Sequence, residues 1–223
     1  MAFKVEVLND HPKEAAARIG ADLPPRGSVV LTGGTTAEKI YPFLALQQRD
    51  WSRIEVLFSD ERCVPPDDPA SNFKMATDLL LNRTSPGAVH RMRGEDEPAA
   101  AAIAYHDEIA SLVDAGLDLM LLGMGADAHV GANFPDSPAV KRSKNLCRAV
   151  DRPDGMKGLT LTPRAILFGV KVLLLVTGNA KADTVRRVIE GDEDPTTCPA
   201  RLLAGHPDVT FLLDQAAASR LSR

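Results

Sequence analysis

Asp127 and His129 stand two residues apart in a loop that carries Gly123 and Gly125 and follows the apolar run Leu117 to Leu122. An imidazole can take a proton from water near neutral pH, and it needs a neighbour to fix its tautomer, a part that Asp127 can play. Taken alone, a single histidine equally suits a structural or exposed position. A second cluster, Asp60-Glu61-Arg62, follows the run Ile54 to Phe58. There Arg62 suits a phosphate or a developing negative charge and a carboxylate suits sugar hydroxyls, while charged loops are also commonly just solvated. A third segment, Gly33-Gly34-Thr35-Thr36, leaves the run Ser28 to Leu31 and opens a helical stretch. Its glycines let the backbone approach a ligand closely, and a helix N-terminus favours an anion. The bland alternative is a tight turn with a threonine as helix N-cap. The spacing is neither a nucleotide-binding P-loop nor G-x-G-x-x-G, so neither ATP nor NAD is expected.

Two further positions belong with these. Lys181, after Thr177-Gly178-Asn179-Ala180, can reach a phosphate at the mouth of a sheet or stand in solvent in a first helical turn. Ser71-Asn72-Phe73 precedes a helix, where Ser71 reads as a cap and Asn72 as a possible contributor to the same crevice. The basic group Lys141-Arg142-Ser143-Lys144 has no interleaved aromatics and reads as a solvated surface or a lid over an anionic site, not as a nucleic-acid patch. Cys63 lies beside Arg62 without any sign of being a nucleophile. No histidine or cysteine spacing resembles a metal site, and no cofactor is expected.

The elements that must position these residues alternate. Strands are expected at Phe3 to Leu8, Ser28 to Leu31, Ile54 to Phe58, Leu117 to Leu122, Val170 to Thr177 and Val209 to Leu213. Helices are expected at Lys13 to Ile19, Ala37 to Gln48, Ser71 to Leu81, Pro98 to Val113 and Lys181 to Glu190, with a short one closing the chain. Such alternation implies an α/β fold with an open, mainly parallel sheet covered on both faces. Residues 142–161, with Pro153, Asp154, Gly155 and Gly158, carry no clear element. Ligands of open parallel sheets bind beyond the carboxyl ends of the strands, so the exits after Leu31, Phe58 and Leu122 should converge on one crevice.

The 223 residues, 44% hydrophobic and 25% charged, suffice for a sizeable core. No linker or repeat divides them, and one domain over 1–223 is expected. A net charge of −4 gives no long-range pull toward nucleic acid or an anionic membrane. Three scattered cysteines, no signal-peptide pattern and no apolar run of membrane-spanning length point to the cytoplasm.

Several motifs together resemble the 6-phosphogluconolactonases of the glucosamine-6-phosphate isomerase/6-phosphogluconolactonase family. They are Thr32-Gly33-Gly34-Thr35-Thr36, Asp60-Glu61-Arg62-x-Val64-Pro65, Ser71-Asn72-Phe73 and Leu122-Gly123-Met124-Gly125-x-Asp127-x-His129. Thr160-Leu161-Thr162, Thr177-Gly178-x-x-Lys181-Ala182 and Pro199-Ala200 agree as well. The resemblance implies a Rossmann-like fold and metal-free hydrolysis of a phosphorylated sugar lactone. It also implies catalytic roles for His129, Asp127 and Arg62, and substrate or phosphate binding by Gly33, Gly34, Thr35, Thr36, Asp60, Asn72 and Lys181. Its expected partner is the small-molecule lactone, with the chain a monomer or homodimer. The isomerase relatives typically carry D-E-Y and F-N-E-P, where this chain has Asp60-Glu61-Arg62 and Asn133-Phe134-Pro135. The chain departs from the lactonase pattern D-G-H-T-A-S-L-F-P at Ala128, Val130 and Ala132. The first replaces a glycine and the other two remove hydroxyls expected in the site. Gly158 stands where an arginine usually precedes T-L-T, with Lys157 and Arg164 the substitutes the sequence offers. A sugar-phosphate isomerase or deaminase, and a sugar-phosphate sensor without catalysis, are the competing readings.

Overall fold

The computed structural model describes residues 3–222. In chain order the elements are β1 (Lys4–Leu8), α1 (His11–Asp22), β2 (Gly27–Leu31), α2 (Thr35–Ala45), β3 (Ile54–Phe58) and β4 (Asp60–Arg62). There follow α3 (Asn72–Ala76), α4 (Asn82–Thr84), β5 (Ala88–Val89), α5 (Pro98–Ala115) and β6 (Leu117–Gly123). The chain continues through β7 (Cys147–Asp151), β8 (Lys157–Leu161), α6 (Pro163–Leu167), β9 (Gly169–Val176), α7 (Ala182–Glu190) and β10 (Val209–Asp214). No helix among the described residues is long and apolar enough to cross a membrane.

Seven strands form one parallel sheet in the order β1-β10-β9-β6-β2-β3-β5. The central strands are apolar over most of their length, with polar residues only near their starts (Ser28, Asp118, Lys171), because both of their faces are covered. Val30, Leu57, Met120, Leu122, Val172 and Leu174 pack with Tyr105, Ile109 and Val113 of α5 and Val185 and Val188 of α7. The alternate residues Val29, Leu31, Val56, Phe58, Leu121 and Leu173 pack with Ala15, Ala16 and Ile19 of α1 and Ile40, Tyr41 and Leu44 of α2. The period of two along a strand thus sorts neighbouring residues into two cores, each with its own helices. The architecture is the α/β fold expected from the sequence.

Three readings of the sequence are corrected. Residues 142–161 hold two strands, β7 and β8, which with β4 make a separate antiparallel sheet in the order β4-β8-β7. Their turn-prone residues occupy the β7–β8 hairpin, where Gly155 has φ +83°, and this local chemistry masks the short strands on either side. Asp60-Glu61-Arg62 is accordingly a strand and not a free loop. No terminal helix forms; residues 215–220 are successive turns begun by Asp214, whose carboxylate accepts from Ala217 N at 2.7 Å. Smaller differences lie at element ends. The helix expected over Ser71 to Leu81 passes from α3 into a wider π-helical turn at Thr77–Leu81, and α2 stops at Ala45.

The turn after β2 is fixed from beneath. The hydroxyl of the fully buried Tyr41 accepts from Thr32 N at 3.1 Å and donates to Thr32 O at 2.6 Å. Thr32 Oγ1 accepts from Gly123 N at 3.2 Å, tying the exits of β2 and β6 together. Removing the phenol oxygen strands a buried amide, which costs about 1–3 kcal/mol. Tyr41→Phe is therefore expected to lower the free energy of unfolding by that amount in a urea titration. An unchanged midpoint would show that this hydroxyl does not hold the turn.

Candidate active site

The strand order turns back between β2 and β6: the chain first runs outward through β3 and β5, then returns to the other side of β2. Loops leaving two such neighbours diverge and open a crevice at their carboxyl ends. A cleft of about 200 Å³ lies there, below the roughly 300–1,000 Å³ of drug-sized ligand sites. Its lining includes Gly33, Gly34, Thr35, Thr36, Asp60, Arg62, Gly125, His129, Arg152 and Lys181. The three strand exits and Lys181 meet, as the sequence implied. Asp127 and Asn72 stand one contact behind, against His129 and Arg62 respectively.

The imidazole–carboxylate couple is formed. Asp127 Oδ1 lies 2.6 Å from His129 Nδ1 and accepts from His129 N at 3.2 Å. A carboxylate can only accept, so Nδ1 carries the proton in the neutral ring and Nε2 keeps its lone pair. The ring packs against Phe134, with centroids 4.7 Å apart. Gly125 makes this possible, because a β-carbon there would overlap both the His129 ring and Asp127 Oδ1. Burial pushes the Asp127 carboxyl up, but the hydrogen bond and charge of His129 outweigh it, and the net position is below the ordinary carboxylate range. A depressed carboxylate contributes stability at neutral pH that is lost as pH falls through its folded value.

At the first exit the N-cap of α2 is Gly34, at φ +90°, and not a threonine. No side chain caps this helix, so its first-turn amides stay available to a ligand. A β-carbon on Gly33 would overlap the Asn72 amide, which is what requires glycine there. Thr36 is otherwise engaged: its hydroxyl lies 2.8 Å from that of Thr177.

At the second exit, Asn72 Oδ1 accepts from Arg62 Nη1, and Asn72 Nδ2 donates to Asp60 O at 2.8 Å. Arg62 Nε is buried without a partner. Asp60 is buried and accepts from Ser59 Oγ at 2.8 Å. Glu61 does not face the cleft. It accepts from Asn72 N at 2.7 Å, Phe73 N at 2.8 Å and Ser71 Oγ at 3.0 Å, and so anchors the start of α3. Ser71 caps that helix by accepting from Lys74 N at 3.1 Å.

Desolvation lowers the pKa of Lys181, against the charges of Asp127 and Asp214. Burial, with the nearby Glu61 charge, pushes the Cys63 thiol up, the opposite of an activated nucleophile. Lys141, Arg142 and Lys144 are exposed and line no part of the cleft, which leaves the surface reading over the lid. Among the described residues no three histidine, cysteine, aspartate or glutamate side chains gather as a metal would require.

Residues 6–211 match the model of the family described as glucosamine-6-phosphate isomerases/6-phosphogluconolactonase. The 6-phosphogluconolactonase of Mycobacterium tuberculosis is 37% identical over 99% of both chains. The chain belongs to the glucosamine-6-phosphate isomerase/6-phosphogluconolactonase family. Among solved structures, 6-phosphogluconolactonase from Thermotoga maritima superposes with TM-score 0.85 at 28% identity, covering 96% of this chain and 100% of that one. A monomeric glucosamine-6-phosphate deaminase also gives 0.85, at 26% identity and covering 98% and 100%. The shared family fold therefore does not separate the two chemistries; the site residues must.

The departures from the lactonase pattern are absorbed in different ways. Ala128, in place of the family's glycine, takes a left-handed backbone at φ +69°, and its methyl group is fully buried in the core. Val130 and Ala132 are also fully buried and absent from the cleft lining, so the missing hydroxyls take nothing from the cavity. Lys157 and Arg164 do not stand in for the missing arginine. Lys157 pairs with Asp151 and Arg164 donates to Lys144 O. The further cation that reaches the cleft from this region is Arg152, which no motif marked. It lies just beyond β7, and only the unexpected β7–β8 pairing brings it to the site.

Removing the His129 side chain takes away the largest influences that hold the Asp127 carboxyl down against desolvation, leaving only backbone hydrogen bonds. In His129→Ala the Asp127 carboxyl is expected to titrate at a higher pH than in the parent protein, followed by carbon-13 NMR. Coincident titration curves would mean the pair is not coupled.

Proposed function

We propose that this chain hydrolyses 6-phospho-D-glucono-1,5-lactone to 6-phospho-D-gluconate, as a cytoplasmic enzyme of the oxidative pentose phosphate pathway, with residues 1–223 acting as one domain. The observation that carries the proposal is a histidine with Nδ1 held by a carboxylate and Nε2 unengaged, on the wall of a small cleft that also contains an uncapped helix N-terminus and three cations.

In this reading the substrate phosphate sits at the Gly33-Gly34-Thr35 turn, between Arg62 and Lys181. Fixing that remote group aligns the lactone carbonyl with His129, so binding energy is spent on orientation. Nε2 takes a proton from water as the water oxygen bonds to the carbonyl carbon. Asp127 holds the ring and balances the imidazolium. Backbone amides at the rim stabilise the tetrahedral oxyanion, a contribution of about 3–4 kcal/mol in other enzymes. As the intermediate collapses, the ring C–O bond breaks and the proton passes to the departing sugar oxygen. A lactone is already an activated ester, and the sequence of steps uses no covalent enzyme intermediate.

Two features favour this over isomerase or deaminase chemistry. Arg62 occupies the position of the tyrosine in D-E-Y, and Asn133-Phe134-Pro135 has no carboxylate to serve as a second proton carrier. The sensor reading was motivated by Ala128, Val130 and Ala132, yet the couple stands intact beside them.

The decisive assay follows lactone decay and ammonia release in parallel. The purified protein is expected to accelerate lactone decay and to release no ammonia from glucosamine 6-phosphate. His129→Ala should lose about 10²–10⁴-fold in kcat, the usual worth of a general base. Equal rates for the two proteins would remove His129 from the mechanism, and tight 6-phosphogluconate binding without acceleration over buffer would support the sensor. Lys181→Ala should raise KM by about tenfold or more with a smaller effect on kcat, since an ion-assisted hydrogen bond is lost. An unchanged KM would take Lys181 away from the phosphate.

A further inference from the structure

Arg152 is nearly buried, its side chain only 11% exposed, and the element that carries it ends one residue earlier. Its stem crosses directly over Gly158 of β8. A β-carbon at 158 would stand 3.0 Å from Arg152 Cδ and 3.3 Å from Cγ, so it would press this stem aside by a few tenths of an ångström, and glycine leaves it room. The guanidinium is then carried into the cleft beside the strand residue Arg62, which pairs with Gly158 in the β4–β8 register.

The guanidinium is supported on one edge and open on the other. Nε donates to Asp154 Oδ2 at 3.1 Å, and Cζ lies 5.6 Å from the centroid of the Phe134 ring, the same ring that packs on His129. Asp60 Oδ2 lies 3.9 Å from Nη1, beyond hydrogen-bonding distance. Neither Nη1 nor Nη2 makes a hydrogen bond among the described residues. A mostly buried guanidinium presents its donors as a planar fork, and leaving that fork unpaired at a cavity wall is costly unless an anion completes it. Asp60 balances part of the charge across 3.9 Å without hydrogen-bonding the fork, and its other oxygen is engaged by Ser59.

We propose that Arg152 is a substrate-binding residue whose free Nη edge, together with Arg62, grips the phosphate of the sugar phosphate, its stem passing over Gly158. The inference rests on the lactonase reading for the identity of the ligand, but not for the existence of the anion contact. The Phe134 ring lies against both this cation and His129, so the side chain that steadies the base also steadies the anion clamp.

The test compares the parent protein, Arg152→Ala and Arg152→Lys in two measurements. One is calorimetric binding of 6-phospho-D-gluconate and of unphosphorylated D-gluconate; the other is steady-state hydrolysis of the phosphorylated lactone. Arg152→Ala is expected to weaken 6-phosphogluconate binding and raise KM by about ten- to a hundredfold, the worth of a charge-assisted contact. It should leave kcat within a few-fold and gluconate binding unchanged, and Arg152→Lys should recover part of the loss. A purely structural arginine would instead weaken both ligands alike and lower kcat, with no recovery by lysine. That pattern, or an Arg152→Ala protein indistinguishable from the parent, overturns the proposal. Failure of the lactonase reading looks different: the parent protein would not accelerate lactone decay, while Arg152→Ala would still lose affinity for the phosphorylated ligand alone.

Discussion

The arrangement depends on one topological constraint, the reversal of strand order between β2 and β6. Because these two strands are neighbours but their chains continue in opposite directions, the turn at Gly33-Gly34 and the loop carrying His129 part from each other above the sheet edge. The charged side chains of Asp60, Arg62, Arg152 and Lys181 are brought to the cleft at that point. Lys181 comes from the exit of β9 on one side, and Arg62 from beyond β3 on the other. The parallel registers that fix these exits at one level are set in turn by the two buried cores, since a slip of one residue would exchange the faces of a strand.

Glycines and amides then bring the loops close. Gly33 admits Asn72, Asn72 holds Arg62, and Glu61 holds the main chain of Asn72. Gly125 admits the His129 ring, and Gly158 admits Arg152. At Gly33 and Gly125 an absent β-carbon is what lets a side chain reach its position, so these glycines shape the site along with the charges. The antiparallel β4-β8-β7 sheet is the second frame. It makes Asp60-Glu61-Arg62 a strand and delivers Arg152 from a hairpin distant in sequence.

The main sheet was legible because its central strands are mostly apolar runs with polar exits, a pattern that survives without any partner information. His129 and Asp127 were legible for a related reason: the pairing is local, two residues apart, and needs only a glycine-relieved loop. The small sheet was not legible. Its strands are short, β4 is entirely charged, and the β7–β8 turn carries the proline and glycines that ordinarily signal an unstructured loop. Arg152 was missed with it, since its route into the cleft exists only once Val150 is paired with Gly158. Which carboxylate of Asp60-Glu61-Arg62 would face the cleft was not legible; Glu61 anchors a helix instead, because the Asn72 and Phe73 amides and the Ser71 hydroxyl that bind it lie ten or more residues along the chain. Val130 and Ala132 read as losses from the site, yet both face the core, a direction that their spacing from His129 does not reveal.

The central claim is that a hexose phosphate bridges the helix N-terminus and the histidine. A crystal structure with 6-phospho-D-gluconate bound tests it most directly. The account places the phosphorus against the amides of the Gly33-Gly34-Thr35 turn and the carboxylate carbon within reach of His129 Nε2. A ligand lying elsewhere, or a phosphate at that turn with the sugar chain directed away from His129, would contradict it.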